Sequence, residues 1–112
     1  IAHSTSRTYV PYNKSYSKMD IPKCSIIIST YNNNKIRLTL EGLKNQTYTQ
    51  FEVIIINDGG DELELLSIIR KYSKYLNITY ETLTPKTTEY RLSAARHLGV
   101  LLAKGDRIIT TD

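Results

Sequence analysis

The chain has no tryptophan, and only one phenylalanine, one methionine and one cysteine among its 112 residues. A single cysteine excludes an intramolecular disulfide and argues against a thiolate zinc site. Cys24 opens an apolar run and reads as a small core side chain. No run approaches the roughly 18 apolar residues that a membrane-spanning helix needs. A basic segment followed by an apolar one is also missing at the start, so no secretion signal is read. The expected location is therefore cytoplasmic, or peripheral to a membrane through parts of a longer protein. On that reading the acceptor-like triplets Asn45-Gln46-Thr47 and Asn77-Ile78-Thr79 match the glycosylation pattern by chance. Two nucleotide motifs are absent as well. No G-x-G-x-x-G follows the first apolar run, and no G-x-x-x-x-G-K-S/T occurs, which disfavours a dinucleotide-binding domain and a P-loop enzyme.

What is present is an ordinary globular composition, 40% apolar and 23% charged, in a length that suits one small domain. Fifteen Lys and Arg against 11 Asp and Glu give a net charge of +4. The basic residues are spread along the chain and form no stripe, so no nucleic-acid partner is expected. An anionic small ligand remains compatible with the charge. Residues 1–22 carry Ser, Thr, Tyr, Asn and Lys without a sustained period and read as a tail or linker. They begin on Ile1, with no initiator methionine, which suggests a piece of a longer chain.

The organising stretch is Lys23–Asp58. Ser25-Ile26-Ile27-Ile28 and Val53-Ile54-Ile55-Ile56 are short, continuous and β-branched, the pattern of strands buried on both faces of a parallel sheet. Between them, Ile36, Leu40 and Leu43 give a helix over 35–46, for which one of Asn32–Asn34 is the expected cap. The unit is strand–helix–strand, with a right-handed crossover. A second helix starts at Asp61, with Glu64 at capping-box spacing and Leu63, Leu66, Ile69, Tyr72 and Leu76 as its inward stripe. Asn77–Thr82 alternates and suits an edge strand; 83–88 is a loop. A third helix is expected over 89–103, with small residues Ala94, Ala95 and Gly99 allowing close approach to the sheet. Gly105 is placed for a left-handed cap, and Arg107–Thr111 is the last strand. The fold class is therefore α/β: a Rossmann-like β-α-β-α-β-α-β unit with a mostly parallel sheet in the order 3-2-1-4.

That topology carries polar residues to the C-terminal edge of the sheet, where open α/β sheets bind ligands. Tyr31 ends the first strand, Asp58 the second and Asp112 the fourth, while Arg91 lies in the first turn of the third helix. The set fits a nucleotide. Tyr31 offers a face to a base, and Asp58 can accept from a base N–H. Arg91, near a helix N-terminus, suits a diphosphate, and Asp112 suits a ribose hydroxyl or a divalent cation. Taken singly, Asp58 before two glycines is also a common turn residue, and Tyr31 a common wall residue. Arg96 lies about 7–8 Å further along the helix than Arg91 and reads by itself as a solvated charge. His97 has no evident carboxylate partner and reads as a surface or packed histidine.

Five segments carry a family likeness. Ser25-Ile26-Ile27-Ile28-Ser29-Thr30-Tyr31-Asn32 resembles the opening strand of family 2 glycosyltransferases of the GT-A fold. Leu43-Lys44-Asn45-Gln46-Thr47-Tyr48 resembles their helix exit, and Phe51–Gly59 their second strand. Arg91–Gly99 resembles their "RLSAARNLG" helix, and Gly105–Asp112 the strand that enters their D-x-D motif. The likeness covers Lys23–Asp112 in order.

The resemblance implies the nucleotide-sugar-binding half of such a domain over 23–112. It implies transfer of a sugar from a nucleoside diphosphate donor, UDP-linked in the leading reading, to a saccharide or other hydroxyl acceptor, as in polysaccharide biosynthesis. By position, Thr30 and Tyr31 would border the uracil, and Asp58 would accept from its ring N–H. Arg91 or Arg96 would lie by the diphosphate. Asp112 would be the first acid of the D-x-D motif, serving a Mn2+ or Mg2+ cofactor. Asn57, Gly60 and His97 depart from the usual Asp, Ser and Asn, and no acid stands at Asn33 or Asn34. The catalytic base and the second D-x-D acid would lie beyond Asp112, so the 112 residues alone are expected not to turn over. The alternative is a non-catalytic α/β nucleotide-binding or regulatory domain, or an inactive relative.

Overall fold

The computed structural model describes residues 22–31, 35–83 and 92–111. The expected tail over 1–21, Asn32–Asn34, the loop and helix start over 84–91, and Asp112 lie outside the described residues. The elements are β1 (Cys24–Thr30), α1 (Ile36–Lys44), β2 (Phe51–Asn57), α2 (Glu62–Tyr72), β3 (Ile78–Thr82), α3 (Leu92–Leu102) and β4 (Arg107–Thr111). The sheet is parallel throughout, in the order β3-β2-β1-β4. The registers align Cys24 with Phe51 and with Arg107, and Val53 with Ile78.

Both faces of the central strands are covered, as their unbroken β-branched runs require. Ile28, Val53 and Ile55 pack under α1 and α2, with Ile36, Leu40 and Ile69. Ile27, Ile54 and Ile56 pack under α3, with Ala95. All seven residues of β2 are buried. β3 is an edge strand, as its weaker pattern suggested, yet Ile78 and Tyr80 are fully enclosed. β4 lies on the other edge and is largely exposed.

Three local expectations are corrected. The residue that caps α1 is Lys35, whose side chain makes no cap hydrogen bond, in place of an asparagine. A lysine side chain is all donor and has nothing to offer the free N–H groups of a helix start. In α2 the inward stripe is rotated: Leu63 is 82% exposed, while Leu65 and Ile68 are buried beside Leu66, Ile69 and Tyr72. Leu63 sits in the first turn, where the chain has just left the sheet edge and its side chain finds no apolar neighbour layer. Asp61 does cap α2, accepting from the Leu63 N–H at 3.1 Å. Among the described residues the glycine with a left-handed backbone is Gly59, not Gly105. Gly105 is small for another reason. A Cβ there would lie 2.7 Å from the Cys24 carbonyl carbon and 2.9 Å from Ser25 Oγ.

Gly105 belongs to a buried clip at the N-terminal end of the sheet. Ser25 Oγ donates to Glu52 Oε2 at 2.6 Å, and the Lys104 N–H donates to the same oxygen at 2.6 Å. The Gly105 N–H donates to Ser25 Oγ at 2.8 Å. Glu52 is 2% exposed, and these charge-assisted bonds offset part of the cost of burying its carboxylate. They tie the link between α3 and β4 to β1 and β2. On the opposite face, the Tyr72 hydroxyl donates to Glu41 Oε1 at 2.6 Å and joins α2 to α1. This bond holds the Glu41 carboxyl below its ordinary range, and the carboxylate pushes the Tyr72 hydroxyl up.

The close approach of α3 to the sheet, expected from its small residues, is present at Gly99. A Cβ there would meet Ile27 Cγ2 at 2.4 Å. Gly42, in α1, has nothing within 4 Å of the same position. Gly99→Ala should therefore destabilise the chain by about 1–3 kcal/mol through overpacking. Gly42→Ala should stabilise it by about 0.5–1 kcal/mol through helix propensity. Denaturant unfolding of both variants checks the pair; shifts of the same sign would contradict the placement of α3.

Candidate functional site

The C-terminal ends of the parallel strands meet at one edge, and β1 and β2 deliver their polar residues there together. β1 ends on Ser29 and Thr30, both buried, and runs into the half-buried Tyr31. β2 ends on Asn57 and runs into Asp58, which is fully buried. The Asp58 N–H donates to the Thr30 carbonyl at 2.8 Å, so the ladder between β1 and β2 continues into the candidate residues themselves. Asp58 also has an interaction partner within the chain. Ser29 projects to the α3 side of the sheet, and its buried hydroxyl has no hydrogen-bond partner among the described residues.

The turn after β2 is tightly specified. Gly59 has φ 90°, a backbone that side-chain-bearing residues rarely adopt. Asn57 brackets it. Its Oδ1 accepts from the Gly60 N–H at 2.8 Å, and its Nδ2 donates to the Gly60 carbonyl at 3.3 Å. The same Nδ2 donates to Tyr80 Oη at 3.1 Å, and Tyr80 Oη donates to Glu62 Oε2 at 2.9 Å. The Asn57 carbonyl accepts from the Leu83 N–H at 2.9 Å. Asn57 thus joins β3, the start of α2 and the Asp58 turn.

Of the six residues expected at this edge, Thr30, Tyr31 and Asp58 are brought together. Arg91 and Asp112 lie outside the described residues. Arg96, on α3, is half-buried with its Nε enclosed, so the solvated-charge reading does not hold for it. His97 is exposed. Among the described residues no three His, Cys, Asp or Glu side chains cluster as a metal cage. No described helix is long and apolar enough to cross a membrane. The part of the edge that sequence reasoning missed is the role of Asn57, Tyr80 and Glu62. The available signal was an asparagine directly before Asp-Gly-Gly, a residue type that brackets turns with its side chain.

Residues 25–112 match the family model described as Glycosyl transferase family 2. The chain belongs to this family. It is 42% identical over 90 residues to a chondroitin synthase of Pasteurella multocida, a match that covers 79% of this chain and 9% of that protein. It is 44% identical over 86 residues to a hyaluronan synthase of Pasteurella multocida, covering 75% of this chain and 8% of that protein. Among solved structures, the crystal structure of S. aureus TarS superposes with a TM-score of 0.69 at 27% identity, over 80% of this chain and 16% of that one. The family 2 chain therefore has the parallel α/β unit of the GT-A fold, and it spans a small part of the relatives that it matches.

Gly59→Ala should destabilise this family 2 chain by about 1–2 kcal/mol, because its φ is a glycine conformation. The loss should appear in denaturant unfolding and be accompanied by shifted Asp58 and Gly60 amide resonances. An unchanged midpoint and spectrum would contradict the turn geometry.

Proposed function

We propose that residues 23–112 form the nucleotide-sugar-binding half of a glycosyltransferase domain, preceded by a tail over 1–22. The donor is a nucleoside diphosphate sugar, UDP-linked, and the acceptor a saccharide hydroxyl. The observation that carries the reading is the direct linkage of the Thr30–Tyr31 and Asp58 segments at one sheet edge, within a family 2 match that runs to Asp112. Relatives named chondroitin synthase and hyaluronan synthase support a polysaccharide as acceptor.

In this reading Tyr31 and Thr30 flank the base, and Asp58 accepts from its N–H. A protein-enclosed acceptor at that position favours a base that offers an N–H over one that presents only a lone pair there. Arg91 or Arg96 would lie by the diphosphate and supply positive charge to it. Asp112 would hold a divalent cation, Mn2+ or Mg2+. When bound, the ion neutralises charge on the leaving diphosphate. None of these residues is assigned as the base that deprotonates the acceptor hydroxyl; their proposed part is to bind the donor.

Calorimetric titration of UDP into the chain, with and without Mn2+, tests this. UDP should bind, Asp58→Ala should weaken it at least about tenfold, and Mn2+ should tighten it. CMP should bind more weakly than UDP. A folded chain that takes up no UDP, or an Asp58→Ala variant with unchanged affinity, would overturn the assignment.

A further inference from the structure

The turn that presents Asp58 depends on an amide at position 57, and counting donors shows why. Asn57 is 1% exposed and Tyr80 is fully enclosed. Tyr80 Oη has a single proton, and it is given to Glu62 Oε2 at 2.9 Å. Toward Asn57 it can therefore only accept, which it does from Nδ2 at 3.1 Å. The Gly60 carbonyl, 3.3 Å from the same nitrogen, is also an acceptor. Two buried oxygens thus converge on one NH2 group, while Oδ1 accepts the Gly60 N–H on the other side at 2.8 Å. A carboxylate has the same shape and no proton. At position 57 it would keep only the Gly60 N–H and would set an oxygen against two acceptors.

We infer that Asn57, Tyr80 and Glu62 act as one positioning network for the Asp58–Gly60 turn, and that the hydrogen bond from Tyr80 to Glu62 is what makes residue 57 an amide rather than an acid. The network fixes Asp58 from behind: Asn57 is its chain neighbour, and the bracketed Gly60 closes the Gly59 turn. Its consequence for nucleotide binding rests on the reading of this edge as the donor site. Its consequence for proton uptake does not.

In Asn57→Asp the new carboxyl should hold a proton when folded, because the protonated form restores a donor to this cluster. Its folded pKa then lies above its unfolded value. The stability of the variant relative to the parent is accordingly retained at low pH and lost as pH rises through the carboxylate range. Among the described residues, the other titratable groups at this end include Glu62 on α2, Asp58 in the turn itself, and Asp61 at the cap of α2. Lys35 stands at the start of α1, and Glu81 lies on the opposite face of β3 from Tyr80. Glu62→Gln removes the competing charge, since a neutral amide leaves the Tyr80 proton free to turn toward residue 57.

The experiment measures unfolding of the parent, Asn57→Asp, Glu62→Gln and the double variant at about pH 4.5 and about pH 8. UDP titration accompanies it at the higher pH. The expected result is an Asn57→Asp deficit that widens at the higher pH and narrows in the double variant. UDP affinity should fall at least about tenfold in Asn57→Asp and recover partly in the double variant. Two results would overturn the inference. One is an Asn57→Asp chain that follows the parent at both pH values. The other is an equal loss at both, including failure to fold, that Glu62→Gln does not relieve. If the parent itself binds no UDP, the donor-site reading fails, and the stability measurements still judge the network.

Discussion

Strand β2 is buried from Phe51 to Asn57, and the rest of the structure answers that constraint. A strand with no exposed face needs a partner on each edge and an apolar layer on each side. β1 and β3 supply the edges, α1 and α2 one layer, and α3 the other. Parallel partners can be joined only by crossovers, and crossovers of one hand return each strand to the same end. The gathering of Tyr31 and Asp58 at one edge is a consequence of burying β2. It needs no separate device.

Two buried polar residues mark the ends of that strand's run, and each converts sheet register into loop position. Glu52, near the entry, receives Ser25 and the Lys104 N–H, and so places the link from α3 into β4. Asn57, at the exit, brackets Gly60 and reaches Tyr80, and so places the turn of Asp58. Their hydrogen bonds offset desolvation and fix geometry, which is what buried polar groups contribute when their partners are complete. The loops of the family 2 chain are thus held by the strand that is most deeply enclosed.

The elements were legible because their signals were local and redundant. Two β-branched runs, a 3.6-residue stripe and an Asp cap each named an element, and the helix between the two runs made the connection a crossover. Helix rotation was less legible. In α2, Leu63 and Leu65 both fit an apolar stripe, and which one faces the sheet depends on where the first turn sits relative to the sheet edge. Gly105 was read from local backbone preference, whereas the contact that requires it comes from Cys24 and Ser25, far away in sequence. The same distinction holds at the site. Tyr31 and Asp58 follow from topology, and their juxtaposition was foreseeable. The bond of Asn57 to Tyr80 joins side chains from two strands, and no spacing in the sequence records it.

The central claim is that the linked ends of β1 and β2 bind the nucleotide. The most direct measurement is amide chemical-shift mapping of UDP on the isotopically labelled chain. The account predicts perturbations concentrated at Thr30, Tyr31 and Asn57–Gly60, with Cys24, Glu52 and Gly105 at the opposite end unmoved. Perturbations centred on that opposite end, or spread without preference along the sheet, would contradict it.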